Sequence, residues 1–177
     1  NVMRSCDARS VGWFGTVAIL AAVLSSATVS AWSAEAWPVF RGPSYDGSSD
    51  AANLPLTWSE EQNVVWKTPI SHRGWSTPVV MDGQIWLTTA TEDGREMFVY
   101  CVDFETGKVL HRAKLFQNAE PEPLDNSVNG YASPTGALQP GRFFAHFGAY
   151  GTAAIDTKTF KVVWQRRDLP CRRFRVA

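Results

Sequence analysis

At 177 residues the chain has room for one domain, preceded by a processed leader. Lys+Arg and Asp+Glu balance at 17 each, which removes any general attraction to nucleic acid or an acidic membrane. A hydrophobic content of 45% against 19% charged excludes a disordered chain, and three cysteines are too few for a disulfide framework.

Met3 is the first methionine, so translation is expected to start there, with Asn1 and Val2 an artefact of gene prediction. Arg4 and Arg9 precede an uncharged run from Ser10 to Ala34, whose apolar centre is Val11 to Leu24. Small residues follow. This is the order of a secretory signal peptide, which assigns residues 1–36 to a leader and 37–177 to the mature domain. Cleavage after Ala31 or after Ala36 satisfies the small-residue rule, and the second is preferred because Trp37 opens a motif. The alternative is an uncleaved anchor, since the run is long enough to span a bilayer. Localisation is therefore expected to be secreted or periplasmic, with membrane contact only if the leader stays. Its removal leaves 141 residues with 15 charges of each sign and two cysteines, Cys101 and Cys171. These two either pair in an oxidising compartment or remain free thiols.

From Trp37 onward the pattern is β. Strands are predicted at Val64–Lys67, Pro78–Met81, Ile85–Thr89, Met97–Val102 and Lys108–His111. Asp82-Gly83 and Glu92-Asp-Gly94 read as turns, the first as a tight hairpin in which glycine supplies positive φ. Asp103-Phe-Glu-Thr-Gly107 reads as a further turn. No window after the leader carries a helical period.

The set then recurs in order. Gly74-Trp-Ser-Thr-Pro78 returns 56 positions later as Gly130-Tyr-Ala-Ser-Pro134, and Gly83 returns as Gly141 before Arg142–Phe147. Asp103-Phe-Glu-Thr-Gly-Lys-Val-Leu-His111 returns 53 positions later as Asp156-Thr-Lys-Thr-Phe-Lys-Val-Val-Trp164. An earlier Val65-Trp66-Lys67 matches the closing strand of a preceding unit. A repeat of roughly 45 to 55 residues lies in the range of propeller blades. One four-stranded sheet cannot bury both of its faces, so it needs neighbours stacked on it. Eight tryptophans suit a fold that repeats a structural aromatic.

These residues resemble the PQQ-like β-propeller repeat family, whose repeat carries an Asp-x-x-Thr-Gly-Lys turn and a strand ending in Trp. Asp103, Thr106, Gly107 and Lys108 match that turn, and Asp156, Thr159, Lys161 and Trp164 match it in part. Gly74, Pro78, Gly130 and Pro134 mark the blade starts. Trp37-Pro-Val-Phe-Arg-Gly-Pro43 is similar to the opening of secreted bacterial members, planctomycete ones among them. The resemblance covers about residues 37–175. It implies an all-β fold, an incomplete propeller of about two four-stranded antiparallel blades plus part of a third, behind a signal-peptide helix. The expectation is a truncated or frameshifted member, because a propeller closes with about four to eight blades. Two positions depart from the pattern. Phe160 stands where the turn glycine belongs, with roughly 1 kcal/mol or more of strain if its backbone is left-handed. His111 stands where the closing Trp belongs.

Asp103 and Asp156 lie one repeat apart and read as carboxylates that satisfy their own turns. His72, His111 and His146 have no metal-ligand spacing, although His72 beside Arg73 is placed to face a ligand. Ser76 and Ser133 lie outside any nucleophile elbow. Five arginines from Arg166 to Arg175 lack the aromatic ladder of a nucleic-acid patch. The resemblance raises the quinone cofactor, but no adjacent cysteines are present and no position maps to its calcium ligands. The expectation is therefore a protein without catalytic, cofactor or metal residues: a secreted propeller that binds or scaffolds a protein partner at the cell envelope. The alternatives are the N-terminal part of a quinoprotein dehydrogenase and a sensor ectodomain of the kind found on bacterial Ser/Thr kinases.

Overall fold

The computed structural model describes residues 36–124 and 129–169. Residues 1–35 lie outside the described residues, and with them the expected signal peptide or anchor. So do Cys171, Arg172, Arg173 and Arg175. No helix among the described residues is long and apolar enough to cross a membrane.

The described residues form two four-stranded antiparallel sheets, each strand pairing with the next in sequence. The first sheet holds β1 (Val79–Met81), β2 (Gln84–Ala90), β3 (Glu96–Asp103) and β4 (Val109–Gln117). The second holds β5 (Ala137–Gln139), β6 (Arg142–His146), β7 (Thr152–Asp156) and β8 (Val162–Arg166). One turn of 3-10 helix, Gly148–Tyr150, joins β6 to β7.

Local chemistry sets these boundaries. Asp82 and Gly83 both take positive φ, 52° and 72°, and close the β1–β2 hairpin with two residues. That double left-handed turn matches the twist of the flanking strands. β5 is not among the predicted strands, because Ala-Leu-Gln holds one large apolar residue and no β-branched one, whereas the equally short β1 reads Val-Val-Met. The readable signal of β5 is Pro140-Gly141, which turns Gln139 directly onto Arg142. Val64–Lys67 forms no strand. Val65 is 89% exposed, and the segment has no ladder partner among the described residues. Trp66 turns instead onto the Asp103–Lys108 turn. The opening segment acts as a stitch: Trp37 pairs with Val80 beside β1, and the Pro38 carbonyl accepts from the Leu138 amide of β5 at 2.8 Å.

The two sheets repeat one another in detail. The β3–β4 ladder shifts register between Cys101 and Val102, and β7–β8 shifts at the equivalent Ala154 and Ile155. The core lies between the sheets. Val79, Trp86, Met97, Val99 and Cys101 of the first face Leu138, Phe143, Phe147, Ala153 and Ile155 of the second. Trp86 stacks on Phe143 with centroids 4.9 Å apart. In repeat register Trp86 corresponds to Phe144, and Phe143 to Ile85. Opposite faces of equivalent sheets therefore meet, a head-to-tail contact rather than a self-complementary one. The face of the second sheet equivalent to the one bearing Trp86 carries Phe144 and Trp164, and Trp164 is 38% exposed.

Candidate functional site

The two Asp-x-x-Thr turns share one hydrogen-bond plan. Asp103 Oδ1 accepts from the Thr106 amide at 2.8 Å and its hydroxyl at 2.6 Å. Asp156 Oδ1 does the same with Thr159, at 2.9 and 3.0 Å. The amide of the fifth residue, Gly107 or Phe160, donates to the carbonyl of the Asp at 2.9 Å in both. The sixth, Lys108 or Lys161, serves through its backbone carbonyl, which accepts from the Asp amide. These bonds hold both carboxyls low. Thr106 is the main cause for Asp103, and Thr159 brings Asp156 to about 2, with help from the Arg142 guanidinium. Each carboxylate stabilises its own turn.

An aromatic side chain lies over each turn. Trp66 donates its indole N–H to the Phe104 carbonyl at 3.0 Å, and its ring fills the space above Gly107, where a Cβ would come within 2.5 Å. The Thr68 hydroxyl bonds the Gly107 carbonyl beside it. At the second turn the equivalent pair is His111 and Phe160. Phe160 has φ 58°, the same left-handed conformation as Gly107 at 69°. The imidazole of His111 stacks on the Phe160 ring at 4.9 Å and 7°. The two departures noted in the sequence thus face each other: a large residue over glycine in one turn, a smaller one over phenylalanine in the next. The carbonyl that Trp66 serves in the first turn is served in the second by Gln84, whose Nε2 donates to Thr157 O at 3.1 Å. Partial burial pushes the His111 imidazole below its usual range. The third aromatic of this series is Trp164. Sequence reasoning had both departures but not their contact, because positions 49 apart meet only through the stacking of two sheets.

Gly74 and Gly130 need their lack of a side chain for space, since neither has positive φ. A Cβ on Gly74 would collide with the Thr88 carbonyl, and one on Gly130 would lie 3.0 Å from the Trp75 indole. The loop carrying Gly74 therefore lies flat on β2. The loop carrying Gly130 lies against Trp75, whose amide donates to Ala132 O at 3.0 Å. Pro78 and Pro134 follow on the same loops. Between the loops is a cleft of about 500 Å³. Its walls include His72, Arg73, Trp75, Glu92, Leu124 and Tyr131. Trp75 is 64% exposed. Arg73 and Glu92 form an ion pair at 3.0 Å on the rim.

The remaining candidates are tied into the fold. His72 stacks on Phe98 at 4.7 Å and hydrogen-bonds Arg112 at 3.2 Å. His146 Nδ1 lies 2.9 Å from the Thr152 hydroxyl. Ser76 bonds the Thr88 backbone, and Ser133 caps the Gly130 amide at 2.8 Å. Cys101 is a fully buried free thiol, pushed up to about 12 by desolvation and by Asp103. A thiol that keeps its proton is a poor nucleophile. Arg166 pairs with Asp168 at 2.8 Å, and Arg167 bonds Asn118 Oδ1 and Gln117 O while covering the Phe116 ring. Among the described residues no group of three His, Cys, Asp or Glu side chains is placed to hold a metal ion. A scan against protein-family models finds no match, and a search of curated proteins finds none.

Proposed function

We propose that the chain is part of a secreted or periplasmic β-propeller of the PQQ-like repeat kind, which binds or scaffolds a protein partner and carries no catalytic site. The head-to-tail meeting of the two sheets carries this reading. A sandwich of two equivalent sheets buries equivalent faces and stops. A stack in which Trp86 meets the next sheet's Phe143 presents the same face again, with Phe144 and Trp164, for a further blade. The aromatic over each turn supports the same geometry, with Trp66 as the remnant of a preceding unit. Among the described residues Asp103, Asp156, Ser76 and Ser133 are committed to structural hydrogen bonds and Cys101 is buried, which supports a binding role for this region. That role is an argument from architecture and from the exposed aromatic face.

Intact mass and a peptide map of the native protein from its own cells test the reading. The expected product begins at Trp32 or Trp37, and its peptides continue past Leu169 into further repeats with an Asp-x-x-Thr turn. A retained leader excludes the secreted form. Quinone-dependent, dye-linked oxidation by the pure native protein overturns the non-catalytic assignment.

A further inference from the structure

We propose that the cleft between the Gly74 and Gly130 loops binds an uncharged saccharide, with a sugar ring stacked on Trp75 and its hydroxyls held by Arg73 and Glu92. The proposal rests on these side chains alone and is independent of the number of blades. At about 500 Å³ the cleft falls in the size range of small-molecule sites. Its key surface is the Trp75 indole. That ring is 64% exposed although its backbone is fixed by the bond to Ala132 and one edge rests on Gly130. Trp86, eleven residues later, is fully buried. The fold thus places an exposed indole on a held backbone at the edge of a cleft, where it presents a flat apolar face.

Charge selects among ligands for such a face. Arg73 and Glu92 pair at 3.0 Å, so together they add no net charge to the rim. A ligand of one charge gains from one member of the pair and is repelled by the other. Neighbouring hydroxyls accept from the guanidinium and donate to the carboxylate together, and the pair stays neutral. A polyproline segment engages the indole and accepts from Arg73, but it has no backbone donor for Glu92. His72 is a wall of the cleft, already held by Phe98 and Arg112.

Calorimetric titration of the full chain tests this. The probes are glucose, galactose, mannose, N-acetylglucosamine and their β-1,4-linked disaccharides, with galacturonate as the charged comparator and hexaproline as the peptide. At least one neutral sugar is expected to bind more tightly than about 10 mM. Trp75→Ala should weaken it by about tenfold or more, Trp75→Phe by less, and Glu92→Gln by about fivefold. Trp58→Ala, at a 70% exposed tryptophan outside the cleft, should leave binding unchanged. Trp75 is exposed, so its variants keep the fold, which far-UV circular dichroism checks. The proposal is overturned if no neutral probe binds, if Trp75→Ala binds equally well, or if galacturonate or hexaproline is preferred.

Discussion

Phe160 and Gly107 hold the same left-handed backbone, and each is matched in size by what lies above it. Phenylalanine at this φ carries roughly 1 kcal/mol of strain that glycine lacks, offset by its stacking on His111 and its contact with Trp86. Exchanging one partner alone should therefore fail. His111→Trp drives an indole into the Phe160 ring, and Phe160→Gly leaves the imidazole over a void. Each single variant is expected to lose about 1–3 kcal/mol in urea unfolding. The double variant recreates the Trp66–Gly107 arrangement and should recover at least about 1 kcal/mol relative to additivity. Simple additivity would mean that the two residues do not interact. The carboxylates beneath make a second prediction. Asp156 titrates at about 2 against its usual 3.8, so its folded form gives up the proton more readily than the unfolded chain. Its contribution is complete above about pH 4 and disappears as pH falls through about 2. Asp103 shifts in the same direction. Asp156→Asn should lower the urea midpoint at pH 7 and lose less stability than wild type between pH 4 and 2. Parallel profiles for the two proteins would disprove the assignment.

At the scale of the element, the turns and hairpins were the most readable parts of the chain. Asp82-Gly83 names its own turn type, and the Asp-x-x-Thr spacing lets the side chain reach two donors three residues on. Strands β1, β2 and β3 follow from runs of apolar and β-branched residues, β6 is marked by the recurrence of Gly83 as Gly141, and β7 is not among the predicted strands. Two kinds of feature were hidden. β5 holds no β-branched residue, and Val64–Lys67 has strand composition without a neighbour to pair with, so composition alone misplaces both. The cleft was half legible: His72 beside Arg73 was singled out, while Trp75 passed as one tryptophan among eight. Its exposure depends on Gly130 coming alongside from a loop 55 positions away, which no local pattern encodes. The glycines separate by mechanism. Gly107→Ala meets both left-handed φ and the Trp66 ring, and should cost about 2–4 kcal/mol. Gly141→Ala, at φ 77° with open space around it, should cost only about 1 kcal/mol. Equal midpoint shifts in urea would mean that Trp66 does not rest on its turn.

For the whole molecule, what matters is which sheet face is left open. In the first sheet Trp86 is sealed beneath Phe143, while on the second sheet the equivalent surface holds Phe144 and Trp164, with Val162 and Val163 exposed on the same edge strand. Phe144 and Trp164 lie 6.2 Å apart with their rings tilted, and on the proposed propeller reading a third layer would cover them. The size relation between aromatic and turn says what such a layer would bring. Trp66 sits over glycine and His111 over phenylalanine, so Trp164 calls for a turn with glycine at the fifth position. Among the described residues only Gly107 fits, and Trp66 already covers it. A second copy can therefore reach Trp164 only by less complementary contacts, and the chain by itself should associate weakly and reversibly. Sedimentation velocity at increasing loading should show rising average mass. Trp164→Glu should weaken that association by about tenfold or more, because it places a charge where an apolar ring would be buried. If Trp164→Glu leaves the mass profile of the wild type untouched, the open face is not the contact, and the series of aromatics over turns ends with His111.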